Sequence, residues 1–114
     1  MYAYNPAPAE EALLALIEHR ESGGNPKAAN PRSSARGLFQ FITSTWQGLS
    51  KLTGVDVSNY PTADTAPPEV QRINALLLLR QEGPNSSASW QASGPYPTYT
   101  EVKLMLAAVG IASA

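Results

Sequence analysis

The sequence predicts a mainly α-helical single domain, and three observations carry that prediction. Apolar residues recur at three- and four-residue spacing in four separate stretches. Each stretch is flanked by residues that start or stop helices. The segments between them are long, polar and rich in Pro, Gly, Ser and Thr, with aromatic residues interspersed. Four or five helices joined by such loops form the expected picture. Loops of this length in a small domain are usually functional.

The first nine residues, rich in Pro and Ala, read as an irregular lead-in. A helix starts at Ala9 or Glu10, with Glu10 and Glu11 in its first turn, where the macrodipole favours acids. Leu13, Leu14 and Ile17 form its apolar face, Arg20 and Glu21 lie one turn further on, and Gly23-Gly24-Asn25-Pro26 stops it. Residues 25–37 are loop. "GLFQFI" is ambiguous; read with a period of two, it sets Leu38, Gln40 and Ile42 against Phe39 and Phe41. Thr43 or Ser44 then caps a second helix, with Trp46, Leu49 and Leu52 on one stripe and Gly54 as its end.

A second loop covers 54–68. Pro67 and Pro68 open a third helix, where proline is tolerated. Val70, Ile73, Leu76, Leu77 and Leu79 give it a wide apolar face, so it is expected to be the most buried helix, ended by Gly83 and Pro84. After a third, aromatic loop, Thr98 and Glu101 offer a capping box for a last helix carrying Val102, Met105, Leu106 and Val109.

Composition narrows the function. The 114 residues, 43% of them hydrophobic, suffice for one core and not for two, so residues 1–114 form one domain. Eight basic against nine acidic residues give a net charge of −1 without charged runs, and no basic stripe marks a nucleic-acid partner. Cysteine is absent, which excludes disulfides, thiol chemistry and Cys-based metal sites. The lone His19 cannot build a histidine metal cluster, and no cofactor or metal is expected. The N-terminus lacks the basic start of a secretory signal, and no stretch reaches the roughly 20 apolar residues that span a membrane.

Glu21 is the candidate for chemistry. It lies four residues beyond Ile17, on the inward side of the helix, at a C-terminus whose partial charge disfavours an anion. A glycosidic general acid needs a carboxyl that can hold its proton. Taken alone, Glu21 reads better as a solvated helix end beside Arg20 or Lys27, since most glutamates are surface residues.

The surrounding motifs weigh against that. Glu21-Ser22-Gly23-Gly24-Asn25, a loop, Gly37-Leu38-Phe39-Gln40-Phe41 and Ser44-Thr45-Trp46 stand in one order. The pattern resembles the lysozyme-like lytic transglycosylases and is similar to the resuscitation-promoting factors of bacterial cell walls. The likeness extends more weakly through "APPEVQRINALLLL" and "SWQASG", over about residues 10 to 95. It implies an α+β lysozyme-like fold, compact and helical, whose long loops frame a cleft.

It further implies a peptidoglycan substrate. Glu21 would be the single acid and base, protonating the oxygen between N-acetylmuramic acid and N-acetylglucosamine. It would then take the proton of the muramoyl 6-hydroxyl, leaving a 1,6-anhydro end. Gln40 would bind a sugar or its N-acetyl group, and Ser22 would orient nearby groups. Phe39, standing where the transglycosylases usually carry Met, Gln71 in the later helix, and the loop aromatics Tyr60 and Trp90 complete the expected substrate-binding set. For Trp46 core packing is favoured, and Tyr96 and Tyr99 are further candidates for stacking on sugars. Arg32 and Arg36 either meet stem-peptide carboxylates or keep their loop soluble.

The Ala-Tyr-Asn motif that transglycosylases carry near their C-terminus is missing. Ala3-Tyr4-Asn5 stands before the first helix instead, a match that chance explains better than a permuted motif. Two other functions fit the same residues. A hydrolytic muramidase would use Glu21, a water and Asp56 or Asp64, since hydrolysis generally needs two carboxylates. A wall-binding or virion structural module would keep the fold without turnover. The small size and the lack of cysteines and of a signal suggest a bacteriophage protein, acting on the wall from the virion or at lysis with other phage proteins. A domain of a larger secreted bacterial chain is the other expectation.

Overall fold

A computed structural model describes residues 1–82, 89–90 and 95–110. Four helices are present among them: α1 Pro8–Ser22, α2 Thr43–Thr53, α3 Pro68–Glu82 and α4 Tyr99–Ala108, with a 3-10 turn at Ala63–Thr65. The expected helices are thus found within a residue or two of their predicted bounds. The predicted stop of the third helix, Gly83 and Pro84, lies outside the described residues.

α1 begins on Pro8, and the Glu10 carboxylate accepts from the Ala7 N–H at 2.8 Å, which satisfies a donor the helix leaves open. It ends on Gly23 in the left-handed region at φ 61°, with its N–H on the His19 carbonyl at 3.0 Å. α1 and α3 run antiparallel, and two ion pairs pin their register. Arg80 grips Glu10 and Arg72 grips Glu18, each with two hydrogen bonds of 2.8–3.2 Å. Eight residues separate the members on either helix, so a slip would break both pairs together.

Arg80 also donates to the Tyr2 hydroxyl, the Asn5 side chain and the Asn5 carbonyl, which straps the N-terminal arm over the helix pair. The core beneath holds Leu13, Leu14, Ile17, Leu38, Phe39, Trp46 and Leu76, all 2% exposed or less. Each such side chain contributes roughly 1.5–3 kcal/mol through its burial.

α3 is the most enclosed helix, with only Glu69 and Gln81 exposed, as its apolar pattern predicts. Its inner face also buries Gln71 and Asn74 completely. Asn74 donates to Ser50 at 3.0 Å and accepts from Thr53 at 2.7 Å, a satisfied polar seam against α2. α4 starts on the expected capping box, Thr98 and Glu101 each accepting from the other's N–H at 3.1 Å.

Three expectations are corrected. Leu52 lies on the α2 stripe yet is 66% exposed, and on α4 Met105 and Val109 are exposed where only Val102 is buried. In these two helices the buried stripe is narrower than the apolar pattern. "GLFQFI" is no two-faced strand: it is a turn held by isolated bridges of Arg36 to Ala29 and to Phe41. Leu38, Phe39 and Phe41 all point into the core, Gln40 is half-buried and Ile42 is exposed. No helix among the described residues is long and apolar enough to cross a membrane.

Candidate active site

Glu21 occupies the last turn of α1 and is half-buried. Its Oε2 accepts a hydrogen bond of 2.8 Å from the Tyr96 hydroxyl. Among the described residues Oε1 has no protein partner. Tyr96 lies 75 residues further along the chain and is only 6% exposed. Arg20 fixes it: the guanidinium sits 4.8 Å over the Tyr96 ring and donates to the Pro95 carbonyl at 2.6 Å. Burial, and then the Glu21 carboxylate itself, hold the Tyr96 phenol well above its ordinary value. The group that faces Glu21 is therefore a permanent neutral donor.

Ser22 closes the helix end, donating to the Glu18 carbonyl at 2.9 Å and accepting from the Gly24 N–H at 3.2 Å. Asn25 accepts from the Lys27 N–H at 3.0 Å and so turns the chain away from α1.

Gln40 has a backbone φ of 53°, rare for a residue other than glycine. Its amide nitrogen spans the Ala28 carbonyl at 3.2 Å and the Gly37 carbonyl at 2.9 Å, so that side chain folds its own loop. Its Oε1 has no protein partner among the described residues. Gln40 and Trp90 line one cavity of about 200 Å³ with Phe41, Ile42, Thr45 and Leu78, and Glu21 is not part of that lining.

Three residues of the expected substrate-binding set are buried. Phe39 is 0% exposed, and its carbonyl accepts from the indole N–H of Trp90, itself 4% exposed, at 3.1 Å. Gln71 is 0% exposed, and both ends of its amide are committed. It accepts from the Leu38 N–H at 2.7 Å and donates to the Pro26 and Ala66 carbonyls at 3.1 and 2.9 Å. Gly37 must be glycine here: its φ is 83°, and a Cβ would collide with Gln71 Oε1. Tyr60 is half-buried and receives the Trp46 indole N–H on its carbonyl at 2.8 Å. Trp46 itself is core, as favoured.

The carboxylates a two-acid reaction would need are held locally. Asp56 accepts from Ser58 and Asn59 at 2.9 and 3.1 Å, and Asp64 from Thr62 at 2.7 Å. Tyr4 and Asn5 do not reach Glu21, Asn5 being bound to Arg80, which agrees with a chance match. No group of three metal-ligating side chains occurs among the described residues. The residue that sequence reasoning placed only among sugar-stacking aromatics is Tyr96. Its one local signal is the proline on either side, Pro95 and Pro97, which stiffens the backbone that presents it.

Residues 2–69 match the family model described as "Transglycosylase SLT domain". The chain is also 42% identical over 74 residues to proteins named "Probable transglycosylase SceD" in Staphylococcus aureus strains Newman, USA300 and COL. Those alignments cover 63% of this chain and 29% of each relative, so it spans under a third of their length. No solved structure matches it.

Proposed function

The chain belongs to the transglycosylase SLT domain family, and on that premise we propose that it is a lytic transglycosylase of peptidoglycan with Glu21 as its single acid and base. The observation that carries the reading is the Glu21 carboxylate, held through one oxygen by a neutral hydroxyl and without a partner among the described residues at the other.

In the proposed reaction Glu21 Oε1 gives its proton to the glycosidic oxygen between N-acetylmuramic acid and N-acetylglucosamine as the bond to the anomeric carbon breaks. The carboxylate then takes the proton of the muramoyl 6-hydroxyl while that oxygen bonds to the anomeric carbon, closing the 1,6-anhydro ring. No water is consumed, and Glu21 ends protonated as it began. Tyr96 holds the carboxylate in place through both transfers and never competes for the proton. Gln40 Oε1, unused by the loop, accepts from an N–H or O–H of the sugar.

Asp56 and Asp64, the acids a hydrolytic route would call on, are each tied into its own turn, which supports the one-acid route over hydrolysis. The carrier to the wall belongs to the same proposal: a phage virion, a phage lysis programme, or a larger secreted chain.

Mass spectrometry of muropeptides released from purified sacculi tests the reading, with Glu21→Gln in parallel. Anhydromuramoyl ends that vanish in the variant are expected. Reducing ends would make the protein a hydrolase, and release of nothing would leave a wall-binding module.

A further inference from the structure

A second cavity, of about 430 Å³, lies against α1 beside the Glu18–Arg72 pair. Tyr4, Glu11, Leu14, Glu18, His19 and Arg72 line it, and Gly23 and Gly24 form its end, two and three residues past Glu21. Nothing in the proposed reaction uses it.

Its wall is built. Arg80 anchors the N-terminal arm at Tyr2 and at Asn5, on either side of Tyr4, and the Tyr2 N–H adds a 2.7 Å bond to the Thr53 carbonyl. Tyr4, 40% exposed, is thereby held in the cavity's lining with Ala15 of α1. Burial holds the Tyr4 phenol above its ordinary value, so the hydroxyl stays a donor.

Charge selects the ligand. The cavity's one lysine or arginine, Arg72, is already forked by Glu18 at 2.9 and 3.2 Å, so an incoming carboxylate meets no free guanidinium. Glu11 is exposed, and its carboxylate has no partner among the described residues. An ammonium on a flexible aliphatic stem suits this lining: the stem packs on Tyr4 and the exposed Ala15, and the charge meets Glu11. In peptidoglycan that group is the side-chain amine of the stem peptide's diamino acid, free wherever no cross-link has been made.

We infer that this cavity is a stem-peptide subsite that recognises the free diamino-acid ammonium, with Glu11 as its anion and Tyr4 as its wall. The inference rests on the cell-wall reading above and gives the domain a way to prefer uncross-linked strands.

NMR titration of the intact protein with the tetrapeptide L-Ala–γ-D-Glu–L-Lys–D-Ala, and with its Nε-acetyl form, tests this. Shifts at Tyr4 and Glu11 are expected, with affinity falling about three- to fivefold on acetylation, the scale of one exposed ion pair. Glu11→Gln should lower affinity for the free peptide by the same factor and abolish the difference between the two peptides. Tyr4→Ala should weaken both peptides alike. Equal affinity for the two peptides in the unmutated protein, shifts confined to other residues, or tighter occupation of the same residues by an N-acetylglucosamine oligomer would overturn it. Peptide binding as expected without muropeptide release from sacculi would uphold the subsite and remove the enzymatic reading. Cleavage of sacculi without peptide binding would do the reverse.

Discussion

Glu10 and Glu21 stand eleven residues apart on α1, just over three full turns, so they project from nearly the same side of one helix. Their surroundings are opposite. Glu10 receives Arg80 through two bonds of 2.8 and 2.9 Å and the Ala7 N–H at 2.8 Å, at the helix end whose dipole favours an anion. Those bonds, led by Arg80, hold its carboxyl below the ordinary range against the opposing effect of burial. Among the described residues Glu21 has one neutral donor, Tyr96, and it sits at the opposite end of the helix. The carboxylate that ties the fold is saturated with cations and donors. The one to which the proposed reaction assigns the proton transfers is held by a single hydroxyl, and its other oxygen has no partner among the described residues.

The sharpest way to break this comparison is to remove each charge in turn. Glu21→Gln should lower muropeptide release about 10³-fold, the range of a lost general acid. It should leave the unfolding free energy in urea within about 0.5 kcal/mol of the unmutated protein's, because it strands no ion. Glu10→Gln should do the converse. It leaves Arg80 without its anion, so stability should fall by about 2–3 kcal/mol in urea unfolding, while the folded fraction keeps its specific activity. If Glu10→Gln abolished turnover or Glu21→Gln unfolded the chain, the two roles would be wrongly divided.

Tyr96→Phe sharpens the catalytic side. It removes one oxygen from a site that otherwise keeps its packing, so turnover should fall about tenfold, or ~1.4 kcal/mol of barrier, without loss of fold by circular dichroism. Acid sharpens the structural side. Glu10 has a folded pKa below its unfolded one, so its contribution is complete above the ordinary value of 4.5 and disappears as pH falls through the lowered folded value. The stability gap between the unmutated protein and Glu10→Gln, measured at pH 7 and pH 3, should therefore narrow at pH 3. The smallest effect belongs to Glu18→Gln. Its partner Arg72 is 37% exposed at the side chain, so the change should cost less than about 1 kcal/mol in the same assay.

The helices were legible because spacing and caps are local. Gly23, Gly54 and the Thr98–Glu101 pair end or begin elements where their chemistry requires it. The breadth of each buried stripe was not local. Leu52, Met105 and Val109 follow the apolar period yet face outward, because a neighbouring helix decides how much of a stripe is covered. The motif residues were legible as positions and less so as roles. Phe39, Gln71 and Trp90 stand where the family pattern puts conspicuous side chains, yet here they fill the core or tie loops. A motif marks a residue the fold needs without saying whether it faces a sugar or a backbone carbonyl. The Tyr96 bond to Glu21 spans 75 residues, and no local pattern reports such a pairing.

Gln71 has a consequence for the order in which the chain becomes competent. Its amide joins Pro26, Leu38 and Ala66, which lie 45, 33 and 5 residues before it. During synthesis Glu21 and Gln40 are both made well before Gln71, but the loop between them has no buried amide to close on until the start of α3 has been added. Tyr96 arrives later still. A growing chain therefore carries Glu21 from early on, while Gln71, which closes the loop, and Tyr96, which bonds the Glu21 carboxylate, are added only afterwards.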